Sequence, residues 1–310
     1  MQFQPTGKPP AGVVFDADFG NNIESALALA MLYGLQGKNE TRVISVSSTK
    51  SSLKSAIFAD ILVRFYTGEP NAFSGVTPIG LSLSGAMAAD TPLLDAVTGR
   101  TQYPRSIVRM NDTADPLALI RNALSAQADQ NAMVVLAGPA TNLAALLALP
   151  GSSELIAKKV RCLAIAADGE FASDAGGLTR LLSDWPTEIV IAGAVVGNAL
   201  PFPAGSLEKD FAWAPAHPVV DAYRAYRPMP YDAPAAAMAA ALYAVRPQEG
   251  YFKLSAPGTT SPGLAGGKHR MLELDPEQKD RILKVYAEMA STHPVGRPQR
   301  FRPPQKKQEE

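Results

Sequence analysis

Near the start of the chain, Asp16, Asp18, Asn21, Asn22, Glu24 and Ser25 crowd one turn, in the run DADFGNNIESALALAML. Two carboxylates one residue apart, a Gly that lets the chain bend back, and oxygen-bearing side chains at a helix entrance suit a hard cation such as Ca²⁺, which takes about six to eight oxygens. A purely structural role accounts for the same residues: Asp16 and Asp18 end a strand, and Asn22 or Glu24 caps the helix after it. Spacing alone leaves both readings open. What raises the first is position, because ligands of open α/β sheets bind outside the carboxyl ends of the strands.

The elements that must carry this turn are legible as alternating patterns. Residues 13–15 form a short apolar run entering Asp16, and 23–33 continue with Ala, Leu and Met at helical spacing. Further strands are expected at 42–46, 132–136, 160–166 and 188–192, and helices at 55–66, 117–126, 142–149, 178–183, 233–245 and 276–291. Pro234 is expected in the first turn of its helix, where a missing N–H is harmless. Residues 70–112 are richer in Gly, Ser and Pro and read as a loop-rich excursion at the rim, and 251–274 as short strands and turns. Strands alternating with helices imply an α/β fold: an open, mostly parallel sheet with helices on both faces. The expected organisation is a leader at 1–12, one domain over 13–296 and a polar, frayed tail at 297–310.

The segment DADFGNNIESALAL resembles the signature of the inosine-uridine preferring nucleoside hydrolases, which reads much like DTDxGNDxDDALAL, and it matches that pattern without a gap. VVLAGPATNLAALL is similar to the family's strand-GPLTN-helix element and EFASD to its EFN segment. WPTEIVIAGAVVGNAL is similar to its WPTPIVFSG-x-x-GN strand, and YDAPAAAMAAALYAVRP to its WDPxAxLYAV helix. These matches fall in order across residues 13–247, so the resemblance implies a nucleoside hydrolase-like fold with a Rossmann-like core.

Carried over residue by residue, the resemblance implies a calcium-dependent hydrolase that cleaves the N-glycosidic bond of ribonucleosides to free base and ribose. Asp18 would bind calcium and act as general base, and Asp232 would bind calcium and touch the ribose. The backbone carbonyl of Thr141 would supply another metal oxygen, Glu170 would hold sugar hydroxyls, and Asp16 would support the site from behind. Asn22, Glu24 and Tyr231 are further substrate-binding candidates, and Glu24 and Ser25 further metal candidates. Tyr231 stands where some relatives carry a His proposed to protonate the departing base; a phenol, with a pKa near ~10, is a weaker acid. The resemblance also implies a homo-oligomer.

The departures from the pattern lie in the site. Glu24-Ser25 replaces the family's Asp-Asp pair, so Ser25 removes a bidentate carboxylate and one negative charge, which implies weakened or lost Ca²⁺ binding. Asn22 stands where relatives often carry Asp, and Ala172 replaces the Asn of EFN. Ala166-Ala167 replaces the usual Met-Gly, and Ser47-Ser48-Thr49 stands where relatives present a GN-type turn. A pocket missing several ribose partners binds a nucleoside less well, since each hydrogen bond is worth about 1 kcal/mol net.

His217 reads as a loop residue within reach of the pocket only in the minor alternative, and His269 and His293 as solvated. Trp185 and Trp213 are expected to pack, with Trp213 the better candidate for a lid. GPATN has one Gly and lacks phosphate-cradling spacing, which excludes a nucleotide-phosphate loop. The chain has 310 residues, 46% of them apolar and 19% charged, and its 29 Lys plus Arg balance 29 Asp plus Glu. No global field therefore draws it to nucleic acid or an anionic membrane, and a small-molecule nucleoside or ribose-like ligand is the expected partner. Cys162, the single cysteine, lies in an apolar run and reads as core. As written the chain reads as cytoplasmic; a Pro-rich polar leader such as MQFQPTGKPPAG is also typical of the residues just past a cleaved export signal.

Two main hypotheses stand. The first is the hydrolase; the second is a catalytically impaired relative that binds ribose or a nucleoside, or serves as a structural subunit, as Ser25 and Ala172 suggest. A metal-free glycosidase using Asp18 and Glu170 as paired carboxylates is a weaker third.

Overall fold

The structure is a computed structural model, and it describes residues 10–68, 77–83, 89–167, 174–258 and 268–294. The leader up to residue 9, Glu170, Ala172 and the tail from 295 lie outside the described residues.

The chain alternates as expected. Strand β1 (Ala11–Ala17) leads into α1 (Glu24–Gly37), β2 (Thr41–Ser48) into α2 (Leu53–Thr67), and β3 (Ile79–Leu81) into α3 (Pro92–Thr98) and α4 (Pro116–Ser125). Then come β4 (Ala132–Ala137), α5 (Thr141–Leu147), α6 (Ser152–Lys159), β5 (Val160–Ala167), α7 (Ala175–Asp184) and β6 (Glu188–Gly193). After α8 (Ala194–Ala199), α9 (Ala204–Lys209), α10 (Pro218–Tyr226) and α11 (Ala236–Val245), the described chain ends with β7 (Phe252–Leu254), β8 (Arg270–Leu274) and α12 (Lys279–Ala290).

The strands form one sheet in the order β3-β2-β1-β4-β5-β6-β8-β7, parallel except where β7 pairs antiparallel with β8. From β1 the chain steps outward through β2 to β3, then returns to lay β4 on the other side of β1 and steps outward again. The order therefore reverses between β1 and β4, which makes their carboxyl ends the topological switch point and the default crevice for a ligand.

Side chains alternate across the sheet. Val13 and Phe15 face the core shared with α1, α2, α11 and α12, whereas Val14, Val134 and Leu136 face the core shared with α4, α5, α6 and α7. Both faces are thus covered, which is why the strands read as nearly continuous apolar runs. Cys162 is buried in the first core, and desolvation pushes its thiol up to about 12.

Local signals set several helix starts. Ser52 caps α2 by accepting from the Ser55 amide at 3.4 Å, and Asp115 caps α4 by accepting from the Ala118 amide at 2.7 Å, just ahead of Pro116. Two expectations change. The excursion at 70–112 contains β3, added in parallel to the edge of β2, and α3. Pro234 precedes its helix rather than entering it: α11 starts at Ala236, and Ala233 instead bridges to Phe202. Among the described residues no helix is long and apolar enough to cross a membrane.

Candidate functional site

Three loops meet at the switch point. The Asp18 amide donates to the Ala137 carbonyl at the end of β4 (3.1 Å), and the Thr49 amide, just past β2, donates to the Ala17 carbonyl (2.9 Å). Gly138 closes the junction: a Cβ there would meet the Asp18 nitrogen at 2.8 Å and the Asp18 Cβ at 2.9 Å. The turn after β1 is anchored from below by Phe19, fully buried and packed edge-on against Phe15 and Phe58 at centroid distances of 5.8 and 6.5 Å. Gly20, at φ +100°, lets the chain reverse, and its carbonyl accepts from Thr91 Oγ1 at 2.6 Å.

Asp16 is fully buried. Its Oδ1 accepts from Ser47 Oγ (2.6 Å) and Asn142 Nδ2 (2.9 Å), while its Oδ2 has no partner among the described residues. Desolvation raises its pKa to about 7, against the lowering effect of those two hydrogen bonds. Asp18, 1% exposed, is held on both oxygens: Asn21 Nδ2 donates to Oδ2 at 3.0 Å and Ser25 Oγ to Oδ1 at 3.3 Å.

The neighbouring candidates take different directions. Asn22 Oδ1 accepts from the Glu24 amide at 2.8 Å, the capping role of the structural reading. Glu24 is buried, and its Oε2 accepts from the Ala237 amide in the first turn of α11 at 3.3 Å. Thr141 opens α5, and its Oγ1 donates to Asp174 Oδ2 at 2.9 Å. Asp232 is exposed, and its Oδ1 accepts from the Ala204 amide at the start of α9 at 2.8 Å. Tyr231 stacks on Tyr223 at 4.4 Å and donates its hydroxyl to the Tyr223 carbonyl at 2.6 Å; burial pushes its pKa above the ordinary phenol value. Ala166 and Ala167 end β5.

Lys50 is a site residue that the sequence reading passed over. It is 7% exposed, and its ammonium donates to Asn21 Oδ1, so that Asn21 bridges Lys50 and Asp18. The serine-rich loop holds its backbone: the Lys50 amide donates to Ser48 Oγ (3.2 Å), and the Ser52 amide donates to the Lys50 carbonyl (2.8 Å). Ser55 Oγ, within 2.6 Å of Ser48 Oγ, donates to the Phe19 carbonyl at 2.7 Å and ties this loop to the first. The available signal was position, since Lys50 lies just beyond the polar end of β2, on the same carboxyl edge as Asp18.

The side chains of the described residues form no three-carboxylate set for the calcium that the resemblance implies. Among the described residues no three His, Cys, Asp or Glu side chains are grouped as ligands would be, so Asp18, Glu24 and Asp232 do not come together as a set. Asp18 meets hydrogen-bond donors from Asn21 and Ser25, and a lysine ammonium lies one amide away.

Beside the Asp16–Asn142 pair lies a cavity of about 500 Å³, lined by Leu81, Ser82, Met110, Pro116, Thr141 and Asn142 among others. The remaining candidates are structural. His217 is buried among Phe65, Phe211 and Trp213, accepts from the Val219 amide through Nδ1 at 3.2 Å, and is pushed down to about 3 by desolvation. His269 is fully buried rather than solvated. Trp213 donates to the Ser291 carbonyl at 2.9 Å and stacks on His293, which makes it a packing residue rather than a lid. Trp185 is fully buried.

No family model and no curated protein matches the sequence. Solved structures do match in shape. A purine-preferring ribonucleoside hydrolase from Gardnerella vaginalis superposes with a TM-score of 0.66 at 14% identity, covering 90% of this chain and 98% of that one. An inosine-guanosine nucleoside hydrolase gives 0.64 at 14% identity over 90% and 98%. The type III effector protein XopQ, complexed with adenosine diphosphate ribose, gives 0.66 at 13% identity over 92% and 95%. With its parallel sheet, its switch point between β1 and β4 and this likeness over nine-tenths of its length, the chain has the fold of the nucleoside hydrolases.

Proposed function

We propose that the protein hydrolyses the N-glycosidic bond of a ribonucleoside or related N-riboside, with Asp18 as general base. One observation carries this reading: the Asp18 carboxylate is buried at the switch point and oriented through both oxygens by Asn21 and Ser25. These two hydrogen bonds fix its direction, and in the proposed reaction a water enters beside it. Asp18 takes the proton of that water as its oxygen bonds to the sugar's anomeric carbon, the bond to the base breaks, and the electron pair leaves with the base. The negative charge of Asp18 also steadies the cationic, oxocarbenium-like sugar.

The ligand class rests on shared chemistry. Two solved neighbours are named for purine ribonucleosides and for inosine and guanosine, and a third is complexed with adenosine diphosphate ribose, all of which contain ribose. Asp232 and Glu170 are the proposed sugar contacts, and a homo-oligomer is the proposed assembly, checked by light scattering. No step is assigned to calcium, because the described residues form no three-carboxylate set for it.

A second reading, binding of a ribose-like ligand without turnover, is favoured by Ser25, which donates to Asp18 where the resemblance implies a further carboxylate. A panel of nucleosides assayed for free ribose, in chelator and in added Ca²⁺, separates the two. Ribose release supports hydrolysis. Saturable binding by calorimetry with no ribose released from any nucleoside favours the binding reading and removes the hydrolytic one.

A further inference from the structure

We propose that Lys50 supplies the resident cation of this site, so that ligand binding in the crevice needs no divalent metal. The inference rests on the proposed function only for the ligand, a ribose-containing molecule; its claim about charge stands on the geometry.

The bridging amide of Asn21 reports the sign of the charge on each side. Its carbonyl faces the Lys50 ammonium and its NH₂ faces Asp18. Turning the amide over would set NH₂ against ammonium and carbonyl against carboxylate, so the hydrogen-bond network admits one orientation. In that orientation the Asn21 dipole presents hydrogen to Asp18 Oδ2. Ser25 does the same from the other side, offering Asp18 Oδ1 a hydroxyl hydrogen.

The charge count agrees. A divalent ion with one further carboxylate at position 25 would carry a net single positive charge. Lys50 with a neutral Ser25 carries the same, without a metal.

The ammonium is also built in rather than draped over the surface. Lys50 is 7% exposed, and burying a charge is unfavourable unless it is paired and hydrogen-bonded. Ser48 and Ser52 fix its backbone, and the Thr49 amide ties its loop to the end of β1, next to Asp18. The carboxylate of Asp90 also lies within its field. Asp90 is held below the usual range mainly by the Ser52 hydroxyl, then by Lys54, with a smaller contribution from Lys50. Lys50 therefore stands between two carboxylates, Asp18 through Asn21 and Asp90 through space.

The decisive measurement is equilibrium dialysis of the chelator-treated full chain against millimolar CaCl₂, with terbium luminescence as a second probe. The wild type is expected to bind no stoichiometric calcium. One equivalent that disappears in Asp18→Asn overturns the proposal. The double variant Ser25→Asp, Lys50→Asn, with its fold checked by thermal melting, is expected to gain one calcium that a further Asp18→Asn abolishes. In chelator, Lys50→Met is expected to weaken nucleoside binding at least tenfold with an unchanged melting profile, and Lys50→Arg to recover part of the loss; unaltered affinity in Lys50→Met also overturns the proposal. Ribose release that appears only with added calcium would sink this inference and leave the hydrolase reading standing. Absence of turnover together with absence of calcium binding would do the reverse.

Discussion

Asn142, 126 residues further along the chain, donates its side-chain amide to Oδ1 of Asp16 at 2.9 Å and so ties the start of α5 to the end of β1. Each residue comes from one side of the point where the strand order reverses, and the contact braces the crevice in which Asp18 sits. It also leaves Asp16 fully buried with one oxygen unpartnered among the described residues, which has consequences for stability.

The first consequence concerns pH. Asp16 is raised to about 7 in the folded chain from 3.8, so the folded state holds its proton more tightly than the unfolded one. Its contribution to stability is complete below pH 3.8, falls as pH rises toward about 7 and is constant above that. Asp16→Asn, which keeps the shape and cannot ionise, should remove this slope, gaining on the wild type between pH 4 and pH 8 by on the order of 4 kcal/mol at most. Denaturant melts of both proteins at the two pH values test it; parallel changes would show that Asp16 does not titrate there.

His217 should act in the opposite direction. Burial lowers it to about 3 from 6.5, so it is neutral in the folded chain at pH values where the unfolded chain takes up a proton. The stability it contributes is complete above pH 6.5 and is lost as pH falls toward about 3. His217→Asn retains an acceptor for the Val219 amide and should flatten this acid limb by on the order of a few kcal/mol, at some loss of aromatic packing. Thermal melts from pH 7 to pH 4 read the difference, and an equally steep limb in the variant would assign the acid sensitivity elsewhere.

Asp18→Asn should reduce base release by about 10²–10⁴-fold, the range for removing a general base. The melting temperature should fall only modestly, because the amide oxygen still accepts from Asn21 and the Ser25 hydroxyl can turn to accept from the new NH₂. Kinetics and calorimetric melting on the same preparation decide this, and an unchanged rate would take Asp18 out of the mechanism.

Gly138→Ala should damage both site and fold. The added methyl would lie 2.8 Å from the Asp18 nitrogen and 2.9 Å from its Cβ, with backbone on one side that cannot yield cheaply. Overpacking of this kind costs about 1–3 kcal/mol, and the shift falls on Asp18 itself. The expected result is a lower denaturation midpoint together with weaker nucleoside binding. A variant with wild-type values for both would mean that the junction relaxes freely.

Much of this architecture is written locally. The apolar run into Asp16, the helical spacing after Ile23 and the Gly138-Pro139 break after β4 are short-range patterns, and each makes its element whatever surrounds it. That is why the turn holding Asp16 and Asp18 is assignable to a carboxyl edge from residue order alone. The strand Ile79–Leu81 escapes such a reading because three residues show no period; it exists because the edge of β2 offers it hydrogen bonds.

The chain's local order thus determined the strand-loop-helix units and the sheet that they build. Tertiary structure alone decided that Asn21 spans Lys50 and Asp18, that Glu24 turns to the first turn of α11, that Asp232 caps α9 and that His217 enters an aromatic core. The reason is physical: local patterns fix backbone conformation, whereas the partner of a buried polar group is whichever complementary atom the completed fold brings within about 3 Å, and residues from distant parts of the chain compete for that position.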